Sequence, residues 1–346
     1  MKKSLLALAV LAASGAAMAQ SSVTMFGVVD VGVGHVSASN KVSGVTQSGN
    51  SSSRLGFRGV EDLGGGLKAG FWLEGAISPD TGTGAGANNA GPGFAFARRS
   101  TVSLAGNFGE VRLGRELAAG YDKPSSYDPF GQVGLAAFQG FSIVRISNGV
   151  SYRTAPNLGG FFATVHYGFG ENAGNNSAGR YIGLAGGYEN GPLSVTLAAD
   201  QIKAGSVNNG YATTVYADDL KTWSLGASYD LGIVKPSFIY HNEKSGGVKQ
   251  DNFMLAATAP LGPGKLVASW AHYKTKGIDA KSNGLAVGYV YDLSKRTVVY
   301  GTYAHMSNKN NAARNLNGVS GSFNTNVTVA PGKNVNGYQV GIRHNF

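Results

Sequence analysis

The sequence predicts an all-β fold, a transmembrane β-barrel of about 16 antiparallel strands. Three observations lead there. Segments of about ten residues alternate apolar and polar side chains with a period of two. The breaks between them fall into a short and a long class that take turns along the chain. Charged residues make up only 14% of the 346, against roughly a quarter in an ordinary soluble domain, while Gly reaches 53. With 42% hydrophobic and 10% aromatic residues the chain is not of the disordered class.

The first nineteen residues are a separate element. Lys2 and Lys3 form a basic start, Leu5 to Ala13 a short apolar run, and Ala17-Met18-Ala19 a small-x-small cleavage site. This is the pattern of a signal peptide, and the run is much shorter than the roughly 20 residues of a spanning helix. The expected division is therefore 1–19 signal peptide and 20–346 barrel. Cleavage removes Lys2 and Lys3 and lowers the formal charge from +10 to +8. The absence of Cys excludes disulfides, thiol nucleophiles and Cys-based zinc sites.

The strands follow in order. Val23 to Val36 alternates first. In the segment Ser52 to Gly75, Leu55 and Phe57 share one side, and Arg54, Gly56 and Arg58 the other. Beyond a triple-glycine turn, Leu67, Ala69, Phe71 and Leu73 oppose Lys68, Gly70, Trp72 and Glu74. Phe161 to Phe169, Leu193 to Asp200 and Tyr338 to Phe346 repeat the pattern. No helix-period segment of useful length follows Gln20, because Gly and β-branched residues are too frequent.

Short breaks are tight turns, as at Leu63 to Gly66, Asn107 to Gly109, Asn157 to Gly160, Asn190 to Pro192, Leu261 to Gly264 and Leu293 to Lys295. Long ones are rich in Gly, Asn and Ser, around 40–51, 80–93, 121–141, 171–179, 203–213 and 307–331. Short periplasmic turns and long extracellular loops are the mark of an outer-membrane barrel. A strand crossing lipid must pair every backbone N–H and C=O, so the sheet closes on itself. The apolar residues then meet hydrocarbon and the polar ones a water-filled lumen. A secreted β-sandwich or adhesin would need a second sheet to cover the apolar face, and would have shorter strands.

The chain resembles the general porins of Gram-negative outer membranes. The likeness spans the whole mature chain and rests on "SSVTMFGVVDVGVG", "SRLGFRGVEDLGGGLKAGFWLE", "RRSTVSLAGNFGEVRLGRE", "YDPFG", "RISNGVSYRTAP", "YDLSKRTVVYGTYAHMSN" and the terminal "YQVGIRHNF". It is similar above all to the anion-selective branch. The resemblance implies a homotrimer of barrels and a third loop, here Tyr121 to Phe141, folded into the lumen. It also implies that Phe346 ends a strand read by the barrel-assembly machinery; His344 is less typical there.

A pore needs a narrow place and a field, and rings of Arg or Lys select anions. The family's wall of basic residues facing acids on the third loop carries over to Arg54, to Arg98 or Arg99, and to Arg145. Alternation places Arg54, Arg58, Arg145 and Arg153 on the lumen side. Counting back from Val102 and Leu104 favours Arg99, while the resemblance favours Arg98; both stay open. Asp122 and Asp128 lie on the loop, and Glu110, Glu116 or Asp128 would offset crowded guanidinium groups. Arg suits the role because it stays charged and its planar fork hands an anion from donor to donor.

The expected function is passive diffusion of small hydrophilic solutes with a preference for small anions; a channel specific for one organic anion is the alternative. The partners expected are outer-membrane lipid and lipopolysaccharide, whose phosphates the loop residues Lys309, Arg314 and Lys333 could meet. Nothing reads as an enzyme. The six His are scattered, no G-x-S-x-G elbow occurs, and no metal or cofactor is implied. Asp218-Asp219 offers too few oxygens for calcium. The pI of about 9.6 suggests nucleic acid, but an export signal and dispersed charge argue against it.

Overall fold

The computed structural model describes residues 22–85, 93–208, 213–316, 323 and 327–346. The expected signal peptide, 1–19, lies outside them. The chain runs β1 (Ser22–Ser37), β2 (Lys41–Gln47), β3 (Arg54–Gly64), β4 (Leu67–Ser78), β5 (Thr83–Ala85), β6 (Arg99–Gly106) and β7 (Gly109–Leu117). Helix α1 (Ala119–Ser125) follows, then β8 (Arg145–Arg153), β9 (Phe161–Gly168), β10 (Tyr181–Asn190), β11 (Leu193–Ile202), β12 (Gly205–Asn208) and β13 (Thr213–Tyr216). The chain ends with β14 (Leu220–Tyr229), β15 (Lys235–Ser245), β16 (Val248–Leu261), β17 (Gly264–Lys276), β18 (Ala280–Asp292), β19 (Thr297–Asn310) and β20 (Val335–Asn345).

Sixteen strands close the barrel, each antiparallel to its neighbours. β2 and β5 extend its rim, and β12 and β13 form a separate hairpin. β20 pairs with β1 from Val28↔Asn345 to Ser37↔Asn336. Gly27 and Phe346 then exchange backbone hydrogen bonds at 3.0 and 3.1 Å, so the last residue seals the seam. The Phe346 ring lies over Gly27, where any Cβ would collide with it.

Burial is inverted relative to a soluble protein. In β14, Leu220, Thr222, Ser224 and Ser228 are buried inside while Lys221, Trp223, Leu225 and Tyr229 face outward and exposed. Across the barrel the buried set includes Asp30, His166, Asp200, Ser224, Asn252 and Gln339, and the exposed set Leu197, Leu255, Leu285 and Val340. Apolar side chains outside and polar ones inside are what lipid outside and water inside require.

The triple-glycine turn holds Gly64, Gly65 and Gly66 at φ of +84°, +60° and +82°, which only glycine adopts in succession without strain. Two expectations need correction. The strict alternation of short and long breaks fails in the second half. β15 and β16 are joined across Gly246 and Gly247, and β17 and β18 across Gly277 to Asp279, at the end where the sequence predicts loops. There β16 and β17, at 14 and 13 residues, extend as ladders that satisfy the backbone instead. The second correction is α1, a seven-residue helix where the sequence predicts none.

The long third connection does fold inward. Phe138 and Leu135 join Ile239, Met254, Tyr273, Met306, Leu316 and Val327 in an apolar cluster. This fills the lumen beside β15–β20 and leaves open space along the β3–β8 wall, bounded elsewhere by Ile202, Tyr216 and Arg314. The first connection is also drawn in. The Asp30 carboxylate accepts the N–H groups of Asn50 and Ser51 at 2.7 and 2.6 Å and the Tyr300 hydroxyl at 2.6 Å.

Candidate functional site: a constriction between the barrel wall and the third loop

The third loop is held at successive points across the lumen. The first N–H groups of α1 have no side-chain cap of their own. Ala119 N–H donates to the Tyr181 hydroxyl at 2.9 Å and Gly120 N–H to Asp200 Oδ1 at 3.0 Å. Tyr181 in turn donates to Asp200 at 2.6 Å. Lys123 pairs with Glu189 at 2.5 Å, and the Tyr127 hydroxyl lies 2.8 Å from both Ser194 Oγ and Thr196 Oγ1. On the far side Phe138 stacks on Tyr273, Phe141 lies against His241, and Ser142 donates through N–H and hydroxyl to Glu243 at 2.7 and 2.6 Å.

Two cavities remain between loop and wall. The larger, about 1130 Å³, is lined by Arg54, Arg98, Arg115, Arg145 and Arg314, with Tyr121 and Asp128 from the loop. The smaller, about 290 Å³, is lined by Trp72, Glu74, Arg99, Arg112, Arg153, Glu116 and Asp122. Arg98 and Arg145 border both, so they stand where the two meet.

The arginines are held in two ways. Around the smaller cavity, carboxylates bind them: Arg112 to Glu110 at 2.7 Å and Glu116 at 3.0 Å, and Arg153 to Glu116 at 3.3 Å and Asp122 at 2.7 Å. Glu116 is further fixed by the Ser151 hydroxyl. Toward the larger cavity, neutral oxygens take over. Arg145 Nε donates to the Arg98 carbonyl at 2.9 Å, Arg115 to the Ala97 carbonyl and Ser147 Oγ at 2.6 and 2.7 Å, and Arg54 to the Ser52 carbonyl at 3.2 Å. A carbonyl orients a guanidinium without cancelling its charge. Glu74 is shared, 2.6 Å from Arg98 and 3.9 Å from Arg54.

Arg98 and Arg99 both face the lumen. Arg99 opposes Glu74 in the β4–β6 register and sits over Trp72, 4.7 Å from the ring centroid. Arg98 precedes the strand in a bend, so strand alternation does not govern it, and no bulge is involved. Arg58 lies further along the same face, exposed, over Phe26 and Trp72 at 5.3 and 5.1 Å.

Asp128 departs from the expected role of a pore-facing acid. It borders the larger cavity but is buried, and its carboxylate accepts N–H groups of Phe130 at 2.9 Å, Gln132 at 3.2 Å and Phe138 at 2.9 Å, plus the Gln132 side chain at 2.7 Å. It organises the loop. Burial pushes its pKa up to about 6, although these donors pull the other way. Asp122, by contrast, reaches the arginines.

Sequence reasoning missed Glu74 as an organiser, along with Arg112, Arg115 and Arg314. Alternation in β7 would have found Arg112. A register shift between Gly114 and Glu116 hides Arg115. Arg314, expected at the outer surface, lies inside, 4.3 Å over the Tyr273 ring and 3.3 Å from the Gln139 carbonyl, and burial lowers its pKa. No group of side chains suited to a metal ion occurs among the described residues.

The family model described as Gram-negative porin matches residues 5–311. The chain is similar to outer membrane porin protein 32 of Delftia acidovorans, 47% identical with all of both chains covered. It is 32% identical to an outer membrane porin protein of Bordetella pertussis, over 88% of this chain and 94% of that one. Among solved structures, an anion-selective porin from Comamonas acidovorans superposes with a TM-score of 0.84 at 43% identity, covering 94% of this chain and 100% of the other.

Proposed function

The chain belongs to the Gram-negative porin family, and from that premise we propose that its outer-membrane barrel passes small hydrophilic solutes by diffusion and prefers anions. One observation carries the preference. Arg98 and Arg145 flank the junction of the two lumenal cavities, and Arg145 is oriented by a carbonyl rather than a carboxylate. An anion entering the larger cavity meets guanidinium groups held in place by the wall. It can exchange water for N–H donors and leave at comparable strength, as conduction requires. The acids Glu110, Glu116 and Asp122 keep Arg112 and Arg153 from repelling their neighbours, and Arg54, Arg58 and Arg99 extend the positive wall beyond the junction.

The solutes are chloride, phosphate and small organic acids. A homotrimer is the expected assembly, and Phe346 the residue that the barrel-assembly machinery reads, since it closes the seam on Gly27. No step of this function calls for a reaction or a cofactor. The test is a planar bilayer under a potassium chloride gradient. Stepwise conductance with a chloride-signed reversal potential supports the reading. A potassium-signed potential overturns the anion preference and leaves the barrel.

A further inference from the structure

The chain has three Trp, and two of them, Trp223 and Trp270, are exposed on the outward face of the barrel. The third points the other way. Trp72 lines the smaller lumenal cavity, one alternation step from Glu74 toward the triple-glycine turn. The β3–β4 register sets it opposite Arg58. The Phe26 ring meets it edge to face, with centroids 5.0 Å apart and planes at 61°. Any Cβ on Gly56 would collide with Phe26, so this glycine makes room for the ring against the wall. Passage of small inorganic ions calls for none of this. An indole and a phenyl ring in a water-filled lumen are the apolar half of a small-molecule site, which pairs such rings with a few placed polar groups.

The polar half is present as well. The Arg58 guanidinium lies over both rings and that of Arg99 over Trp72. Arg99 Nε donates to a neutral oxygen, Thr101 Oγ1, at 3.0 Å. The carboxylates nearby are engaged by other arginines: Glu74 by Arg98, Glu110 and Glu116 by Arg112, and Asp122 by Arg153. A guanidinium over a ring is attracted to its electrons and keeps its N–H groups available to an anion. The hydrogen bond from Trp72 Nε1 to Glu74 fixes the indole in place. Rings and donors thus stand together at the edge of a cavity of about 290 Å³, close to the roughly 300 Å³ of the smallest ligand sites.

We propose that Trp72, Phe26, Arg58 and Arg99 form a subsite for aryl carboxylates, on the periplasmic side of the Arg98–Arg145 junction. The inference rests on the anion-passing function above and narrows its solute class. The solute's ring packs against Trp72 and Phe26, and its carboxylate accepts N–H groups of Arg58 and Arg99, whose planar forks match its two oxygens. Arg58 is the exposed member of the group and swings off the rings to admit the solute. An aliphatic acid of equal charge gains the ion pair without the ring contact. An aryl acid is therefore held beyond the junction longer than chloride, and the two compete for the same guanidinium groups.

The test adds benzoate or cyclohexanecarboxylate to the purified protein in planar bilayers and follows block of the chloride current. The two acids match in charge and closely in size, and only benzoate has a π-face. Benzoate should halve the current at a concentration about ten-fold lower. Trp72→Leu should bring the two acids within about two-fold of each other, while the reversal potential in potassium chloride keeps its chloride sign. Phe26→Leu should act in the same direction, and Trp72→Phe should restore most of the difference. Arg58→Gln should weaken both acids alike. A second readout holds even where a variant fails to insert. With Trp223→Phe/Trp270→Phe, Trp72 is the only tryptophan left, and benzoate should shift its emission saturably where cyclohexanecarboxylate does not. Equal block of the wild type by both acids, under a chloride-signed potential, overturns the subsite and leaves the anion channel standing. So does a Trp72 emission that benzoate does not move. A potassium-signed potential overturns the reading beneath, and the subsite with it.

Discussion

Arg98 is joined to Glu74 twice: its backbone N–H donates to the Glu74 carbonyl at 3.0 Å and its Nε to Oε1 at 2.6 Å. The first bond fixes the bend before β6, and the second aims the guanidinium at the junction of the two cavities. Glu74 also accepts from Trp72 Nε1 at 3.1 Å. The carboxylate that orients the arginine thus subtracts from the positive field it serves.

Glu74→Gln separates these effects. The amide oxygen still accepts from Arg98, while one negative charge leaves the lumen. The chloride-to-potassium permeability ratio should rise roughly two-fold at 0.1 M salt and less at 1 M, where screening is stronger. Reversal potentials at both concentrations check it. A fall in the ratio would mean that the orientation of Arg98 outweighs the charge.

Replacing Arg54 and Arg145 together by Ser removes two lumenal charges that carbonyl groups orient. Anion preference should drop several-fold at low salt and converge on the wild-type value near 1 M, where the Debye length is only about 3 Å. Conductance should not fall, since the side chains become smaller. Unmoved selectivity would place the filter elsewhere, first at Arg115 and Arg314.

The barrel was legible because lipid outside and water inside force a period of two, and that period sets Arg54 and Arg58 on one face; it does not place Arg145, which lies beyond a register shift from Arg153. The count fails where regularity fails. Arg98 sits in a bend, and Arg115 beside a register shift. Helix α1 was invisible because its N-terminal groups are capped by Tyr181 and Asp200, 62 and 80 residues further on in the chain. Asp128 looked like a pore acid because its composition and position say nothing of the N–H groups that turn toward it.

Asp200 anchors the loop through Gly120 N–H and the Tyr181 hydroxyl. Asp200→Ala should cost about 1.5–3 kcal/mol of local stability, the range for hydrogen bonds to a charged group. The expected outcome is a noisier open channel with greater mean conductance and weaker anion preference, measured in single-channel records. Gly120→Ala should act alike, because a Cβ there collides with the Asp200 carboxylate. Quiet, unchanged channels from both variants would show that the other loop contacts suffice.

Asp128 gives the fold a pH dependence of defined sign. Burial raises its pKa from 3.8 to about 6, so the folded protein holds this proton more tightly than the unfolded chain. Its contribution to stability is complete below about pH 4 and is lost as pH rises through about 6, on the order of 2–3 kcal/mol in all. Asp128→Asn removes the titration. Between pH 4 and 7 the wild-type melting temperature should therefore fall relative to that of the variant. A protonated-carboxyl infrared band with a midpoint near pH 6 should be present only in the wild type. Parallel melting profiles, with no such band, would mean that the loop donors stabilise the carboxylate enough to cancel its burial.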